Sequence, residues 1–197
     1  MSKYSNRDDY IDSASGVLKN RLGITDEAKL EETEAALVAA RSYELAQNPL
    51  KGKFDLDHLK AIHRYLFGDV YEWAGQIRLI DLTKDSTRFA SYHHIEMAAR
   101  KVFHKLEEEN HLAGLPEGVF SQRAAYYLGE INALHPFREG NGRVQREFIS
   151  HLAYKNDFYV EWQHMTQYEM IQASIESFNG DCSKFAAYIR SNIRRNT

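Results

Sequence analysis

The side chains best suited to chemistry in this sequence lie in one short run, from His135 to Arg146. The run reads His-Pro-Phe-Arg-Glu-Gly-Asn-Gly-Arg-Val-Gln-Arg, so a histidine, an acid and arginines surround a Gly-Asn-Gly turn. A glycine-rich loop that enters a helix presents free backbone N–H groups at the positive end of the helix dipole, and such a place favours phosphates. The turn therefore predicts a phosphate-binding loop.

Charged residues around the turn indicate what would bind there. Arg143 and Arg146 are three residues apart in the first turn of a helix expected to begin at about Gly142, so they share a face and suit more than one phosphate. Glu139 would repel phosphate unless a cation lay between them, and Mg²⁺ binds one or two carboxylates together with phosphate oxygens and waters. The run thus predicts a site for a magnesium-bound nucleotide di- or triphosphate, with Glu139 as the metal ligand.

His135 stands at the end of the helix that precedes the turn. Near neutral pH an imidazole can accept a proton from an attacking hydroxyl group. A base, a metal ion, an anion site and cationic clamps are together the parts of phosphoryl or nucleotidyl transfer. A Gly-Asn-Gly alone is only a turn and a His-Pro alone is only a helix end, so it is the combination that predicts an enzyme.

The elements that must position this run are mostly helices. Only three prolines occur, so long helices are allowed. Residues 77–92 have the strongest β character and predict a short hairpin, or flap, that turns at Lys84-Asp85-Ser86. Apolar spacing and capping residues predict helices over 25–48, 55–67, 93–110, 117–135, 143–154, 166–178 and 182–195.

The whole chain reads as one domain with a small appendage. Residues 1–24 are polar and broken by glycine, which predicts an N-terminal extension with a short helix near Val17–Leu22, and residues 25–197 form the main domain. The net charge of about −3 argues against a general nucleic-acid or membrane binder, and no apolar run approaches the length of a membrane span. With one cysteine, Cys182, which we expect to be buried and inert, nothing implies an oxidising compartment. We expect a cytosolic protein.

The run from 135 to 146 resembles the signature of Fic-domain proteins, HPFx(D/E)GNGRxxR, at every defined position. Residues 59–78 resemble the Fic segment that precedes the flap, and residues 81–89 resemble the flap itself. The stretch GVLKNRLGITDEAKLEETE, at 16–34, resembles the N-terminal region of bacterial Fic toxins and of Bartonella-type effector Fic domains. The resemblance covers nearly the full chain.

The resemblance implies a mainly α Fic fold, a helical bundle with a short β-hairpin flap, and an enzyme that transfers AMP from ATP to a protein hydroxyl and releases pyrophosphate. It implies that His135 is the general base and that Glu139 holds Mg²⁺. It further implies a set of nucleotide ligands, in which the turn forms the anion hole and two arginines bind the distal phosphates: Gly140, Asn141, Gly142, Arg143 and Arg146.

Other positions follow from the same resemblance. The hairpin would pair with an extended segment of the target protein by strand addition, and Lys84 and Phe89 would clamp the modified side chain. Asn192, on the last helix, would contact adenine. The Doc branch of the family has a lysine where this chain has Gly142, so the glycine favours AMP transfer over phosphate transfer.

Regulation is also implied. Many Fic proteins carry an inhibitory helix with the pattern (S/T)xxxE(G/N), and no serine or threonine of this chain has a glutamate four residues later. We therefore expect a separate, antitoxin-like small protein that donates a glutamate to Arg146, as in the separate-antitoxin class of the family. The alternative is that the inhibitory segment lies beyond these 197 residues.

Three functions stay open at this point. The favoured one is a protein adenylyltransferase. The second is a related transferase that uses another nucleotide or a phosphate donor, and the third is a module that binds nucleotide without chemistry. The expected location is a bacterial cytoplasm, with delivery into a host cell as an effector as the alternative to a toxin.

Overall fold

The computed structural model describes residues 8–84 and 87–196. This part of the chain folds into α-helices joined by short loops, with one short antiparallel hairpin, as the sequence predicts, and a second antiparallel strand pair that it did not predict. The strands are β1 (Thr83–Lys84) with β2 (Thr87–Arg88), and β3 (Phe158–Val160) with β4 (Ile193–Arg195). The helices are α1 (Glu27–Gln47), α2 (Leu56–Phe67), α3 (Ile95–Glu108), α4 (Glu117–Leu134), α5 (Asn141–Lys155), α6 (Gln167–Phe178) and α7 (Ser183–Asn192).

Helix α4 is the centre of the bundle and packs against α3, α5, α6 and α7. Phe120, Leu128 and Ile131 on α4 are fully buried, which is expected of a helix with a wide apolar surface. At Gly129 an added Cβ would lie 2.9 Å from Cys182 Sγ, so the glycine lets the start of α7 approach α4 closely. Cys182 is half-buried instead of buried as expected from the sequence, and this burial raises the pKa of its thiol.

Two expectations about elements are wrong. Residues 17–22 form no helix, because the chain turns there and Ile11 pairs with Leu18 in an isolated β-bridge. The last helix ends at Asn192 instead of continuing to 195, because residues 193–195 pair with β3 and bury Ile193. The pairing of β3 with β4 joins segments that lie far apart along the chain, so local spacing does not show it.

The N-terminal residues 8–24 pack against the bundle. Val17 is buried, and the backbone N of Arg21 donates to Val70 O at 2.8 Å. Asp8 accepts hydrogen bonds from the guanidinium of Arg138 at 2.8 and 3.0 Å. This segment therefore contacts the loop that carries the sequence motif.

The hairpin expected over 77–92 is present but short. Thr83 pairs with Arg88 and Lys84 with Thr87, while the expected turn at Asp85 and Ser86 lies outside the described residues. The base of the hairpin is attached to the bundle, because Ala90 N donates to Ala133 O at 3.2 Å. The hairpin is thus joined to the last turn of α4.

Within the described residues no helix combines the length and the apolar character that crossing a membrane requires.

Two of the histidines buried in the core, His63 and His58, have perturbed environments. His63 Nδ1 accepts from Gly75 N at 2.7 Å, so Nε2 carries the proton and donates to Glu139 O at 3.1 Å. His58 lies 3.4 Å from His151, measured between its Nε2 and His151 Nδ1. Burial lowers the pKa of His63 to about 3 and, together with His151, that of His58 to about 4. Both rings are therefore neutral at physiological pH.

These two histidines predict a loss of stability in mild acid. Their ordinary pKa of 6.5 is depressed on folding, so the unfolded chain binds protons first and becomes favoured as pH falls below about 6.5. Each should lower the free energy of unfolding by up to about 1.4 kcal/mol per pH unit until its folded pKa is reached. Urea denaturation at pH 7.5 and 5.5 measures this dependence.

His63→Gln should flatten the dependence, whereas the same change at the exposed His94 should leave it intact. An unchanged pH dependence in both His63→Gln and His58→Gln would contradict the assignment.

Candidate functional site

A six-residue loop, 135–140, joins α4 to α5. His135 ends α4 in a left-handed conformation, with φ 44° and ψ 59°, while its N still donates to Ile131 O at 3.1 Å. Gly140, with φ 80°, is the N-cap of α5. Left-handed residues at both ends turn the chain sharply, so six residues suffice to lead from the end of α4 into the start of α5.

The start of α5 is the expected anion site. The first helical hydrogen bonds run from Arg143 N and Val144 N to Gly140 O, both at 3.1 Å. The N–H groups of Asn141 and Gly142 precede them and lie at the positive end of a 15-residue helix. Gly140 N instead donates to Glu139 Oε1 at 2.7 Å. The geometry suits an anion placed against the first turn of α5.

Asn141 holds the loop in shape. Its side chain is 4% exposed, accepts from Phe137 N at 2.9 Å and donates to Phe137 O at 2.8 Å. The amide thus closes a ring across residues 137–141. Its role in the anion hole stays a prediction, and its observed contacts are with the backbone of the loop.

Aromatic rings form the floor of the loop. Phe137 is fully buried and stacks on His63, with ring centroids 3.9 Å apart and planes inclined by 20°. A Cβ at Gly140 would lie 2.3 Å from Phe67 Cζ, so this position has room for glycine alone. His63 also donates a hydrogen bond to Glu139 O. Together these contacts hold the backbone of the loop against α2.

Arg143 lies in a polar cluster that the sequence did not reveal. Its Nη2 is 2.6 Å from Glu34 Oε1 and 3.4 Å from Glu139 Oε1. The guanidinium lies over the Phe67 ring, 4.7 Å from its centroid. The second oxygen of Glu34 accepts a short hydrogen bond from the Tyr71 hydroxyl. Burial, followed by the bond to Glu34, raises the pKa of Tyr71, so the phenol stays a proton donor.

Arg146 lies beside Gly142. A Cβ at Gly142 would be 3.7 Å from Arg146 Nη1, so the second guanidinium reaches back to the first turn of α5. Burial and the nearby charge of Arg143 lower the pKa of Arg146. Since arginine stays charged at neutral pH, the site keeps two close cations that an anion would stabilise.

Glu139 fits the role of a magnesium ligand shared with a nucleotide. Its carboxylate is 44% exposed and faces the same side of the loop as Arg143. Among residues 8–84 and 87–196, no group of three or more His, Cys, Asp or Glu is arranged to hold a metal ion. A Mg²⁺ ion at Glu139 would therefore take most of its ligands from phosphate oxygens and waters.

A cavity of about 480 Å³ opens beside these charges. The residues that line it include Arg138, Glu139 and Arg143 of the motif and Glu27, Glu31 and Glu34 of α1. The cavity is therefore bounded by both signs of charge.

Phe89, expected to clamp a target side chain, packs on the candidate base. Its ring is parallel to that of His135, with centroids 3.7 Å apart and planes inclined by 14°. Phe178 of α6 contacts Phe89 edge-on at 6.4 Å. The structure thus brings the base of the hairpin against the imidazole.

The two remaining expected site residues, Asn192 and Lys84, lie in other elements. Asn192 is the last residue of α7, is half-buried, and donates from Nδ2 to Tyr188 O at 2.9 Å. Lys84 lies in β1, and its side chain falls outside the described side chains. Their roles stay predictions.

Sequence reasoning missed Glu34, His63 and Arg78. Glu34 had a detectable signal, because it interrupts the apolar face of α1 between Leu30 and Val38. His63 likewise lies on the buried face of α2. Arg78 had no such signal, since its partners are backbone carbonyl groups from three parts of the chain.

Gly140→Ala should disrupt the loop. The methyl group would meet Phe67 and force an L-residue into positive φ, so the free energy of unfolding should fall by about 2–4 kcal/mol and MgATP binding should weaken about tenfold or more. Chemical denaturation and calorimetric titration measure the two effects.

Gly114→Ala is the matched control, because Gly114 also has positive φ but has nothing within 4 Å of an added Cβ. It should lose only about 1 kcal/mol and keep its nucleotide affinity. Parent-like MgATP binding by Gly140→Ala would contradict the assigned geometry.

Known proteins resemble this chain over the residues of the candidate site. The description of the Fic/DOC family matches residues 53–153, which include the whole motif loop. The chain is 51% identical over 194 residues to the protein adenylyltransferase VbhT of Bartonella schoenbuchensis, which covers 98% of this chain and 41% of VbhT. It is 37% identical over 188 residues to the probable protein adenylyltransferase Fic of Salmonella typhimurium, covering 95% and 92% of the two chains.

A solved structure also resembles the fold of this chain. The crystal structure of BepC, a VirB-translocated effector protein of Bartonella tribocorum with bound AMPPNP, superposes with a TM-score of 0.92 at 25% identity. The match covers 98% of this chain and all of that one. This chain thus spans less than half the length of VbhT but nearly all of the Salmonella relative. With the family match over more than half of its residues, the chain belongs to the Fic/DOC family.

Proposed function

We propose that the chain is a protein adenylyltransferase, which transfers AMP from ATP to a hydroxyl side chain of a target protein and releases pyrophosphate. The observation that carries the proposal is the loop between α4 and α5. Its left-handed ends, His135 and Gly140, lead the chain from the end of α4 into the start of α5, whose first turns carry Arg143 and Arg146. Two relatives named protein adenylyltransferase and the AMPPNP-bound BepC support the same activity.

The residues of the loop divide the reaction between them. His135 accepts the proton of the target hydroxyl, whose oxygen then attacks the α-phosphorus of ATP. The new P–O bond forms as the bond to the β-phosphate oxygen breaks, and its electron pair leaves with pyrophosphate. The free N–H groups at the start of α5 stabilise the charge that develops on the α-phosphate oxygens.

The two arginines would bind the distal phosphates. Arg143 and Arg146 offer planar, multidentate donors to the β- and γ-phosphates, and binding there relieves the repulsion between the two cations. A Mg²⁺ ion held by Glu139 would neutralise charge on the phosphate oxygens. Adenine would lie toward α7, where Asn192 is the proposed contact.

A related transferase with another nucleotide or phosphate donor is the second candidate. Gly142 counts against phosphate transfer, because its open Cβ position borders Arg146 and leaves space for the AMP-transfer orientation. The third candidate, a silent nucleotide-binding module, has no use for an imidazole at the end of α4.

Labelled ATP distinguishes the three candidates. The purified chain should transfer label to lysate proteins from ATP labelled at the α-phosphate and not from ATP labelled at the γ-phosphate. His135→Ala should lose about 10²–10⁴ in rate, the usual contribution of a general base. The rate of label incorporation measures both.

His94→Ala, at an exposed site on another helix, is the matched control and should keep the parent rate. Label from the γ-phosphate alone would make the protein a kinase, and no label from either position would make it a binder. An active His135→Ala would remove the histidine from the role of base.

The target protein would dock on the hairpin. Strand addition to β1 or β2 supplies backbone hydrogen bonds without demanding a particular sequence. Phe89 then lies between the hairpin and His135, so a side chain clamped by Phe89 and Lys84 would reach the imidazole directly.

An antitoxin-like inhibitor is the proposed second partner. A glutamate from a separate chain would bind Arg146 and compete with the distal phosphates. The proposed place of action is the bacterial cytoplasm, with delivery into a host cell as the alternative that the translocated relative BepC supports.

A peptide tests the inhibitor site. A helical peptide of the pattern (S/T)xxxE(G/N) should inhibit label transfer by the parent chain, and the same peptide with Gln for Glu should inhibit far less. Arg146→Ala should use ATP more weakly and resist the peptide. If the peptide inhibits parent and Arg146→Ala to the same degree, the glutamate binds elsewhere.

A further inference from the structure

Arg78 lies just before the hairpin in the chain, and its side chain contacts both the motif loop and the hairpin. We propose that Arg78 is a positioning residue of the transfer reaction, which fixes the general base and the target-docking hairpin relative to each other. The inference rests on the proposed function for the meaning of those two parts, and on the contacts of Arg78 for their coupling.

On one side Arg78 binds the loop that carries the base. Its Nε donates to His135 O at 2.8 Å, and its backbone N donates to Pro136 O at 2.9 Å. Nη2 also lies 3.5 Å from Leu134 O. Arg78 therefore fixes the peptide groups on both sides of the left-handed His135, and this orients the bond from which the imidazole projects.

On the other side the same guanidinium closes the base of the hairpin. Nη1 donates to Ile80 O in a short hydrogen bond, and Nη2 donates to Ala90 O at 2.5 Å. Ile80 precedes the hairpin and Ala90 follows it, so both of its ends are fastened to one planar group. Phe89, next to Ala90, is the residue that stacks on the His135 ring.

Charge explains why an arginine can lie there. Arg78 is fully buried, and burial lowers its pKa, so the charged group must be compensated by its neighbours. The carbonyls of Leu134 and His135 belong to the C-terminus of α4, where the helix dipole is negative and the last C=O groups lack helical partners. The guanidinium satisfies these acceptors and is stabilised by them.

The shape of the group matters as much as its charge. A guanidinium offers five N–H donors in one plane, which lets Arg78 reach carbonyls in three directions at once. A lysine would keep the charge but could not maintain this fork. Displacement of the hairpin base would then be transmitted to His135 through the carbonyl and through Phe89.

Arg78→Lys tests the coupling. At saturating MgATP, the rate of α-label transfer as a function of lysate protein concentration gives an apparent kcat and KM. We expect kcat to fall about 10–100-fold and the apparent KM for acceptor protein to rise, since small misplacement of reacting groups costs this much. The calorimetric Kd for MgATP should stay within about twofold, because the α5 site is untouched.

Arg123→Lys is the matched control. Arg123 is half-buried and forms a two-bond pair with Glu109, and the contacts described for these two residues involve neither the loop nor the hairpin. It should keep the parent kcat and KM. Should Arg78→Lys not fold, Arg78→Gln, which keeps a planar donor, replaces it in the same assays.

A spectroscopic measurement separates this inference from the proposed function. In the absence of any transfer, the imidazole resonances of His135 should shift in Arg78→Lys and not in Arg123→Lys. Parent kcat and KM with unshifted resonances would overturn the positioning role, as would a loss of MgATP affinity equal to the loss of rate. Failure of the parent chain to transfer α-label would overturn the transferase and leave the resonance test standing.

Discussion

The site depends on one constraint: the backbone between α4 and α5 must leave one helix and enter the next within six residues. His135 and Gly140 adopt left-handed conformations there; glycine does so readily, whereas at His135 the conformation is unfavourable unless surrounding contacts stabilise it. Three side chains fix the backbone from different directions. Asn141 closes the loop on itself, His63 binds Glu139 O from below, and Arg78 binds His135 O from the side of the hairpin. Arg138, Glu139 and Arg143 of the motif then line the cavity beside α1.

The sequence predicted the residues of the motif better than the contacts that hold the motif in place. Residues 135–146 follow one another along the chain, so their spacing alone places a base, an acid and two arginines around a helix start. The helices followed from apolar periodicity and caps, as for α2, which was expected to open at Asp55 and has Asp55 as its N-cap. By contrast, Glu34 and Arg78 act through contacts with residues distant in sequence, and β4 forms only because β3 lies beside it. Local patterns contain no record of such pairings.

Phe89 makes a contact that the sequence did not predict. The family resemblance implied a contact with the target protein, which stays a prediction. The observed partner of Phe89 is His135, whose ring it covers on one face. This stacking leaves the ring nitrogens in the plane of the imidazole uncovered and restricts rotation of the ring. The base of the hairpin therefore orders the His135 side chain, besides its proposed role in docking.

Glu34 has a consequence for turnover. Its carboxylate, oriented by the Tyr71 hydroxyl, is paired with Arg143 inside the fold. Under the proposed function, a triphosphate would compete with this internal anion for the guanidinium, and the same carboxylate would rebind Arg143 as pyrophosphate leaves. An internal competitor of this kind would weaken the binding of the leaving product as well as that of the substrate, so affinity would be exchanged for faster product release.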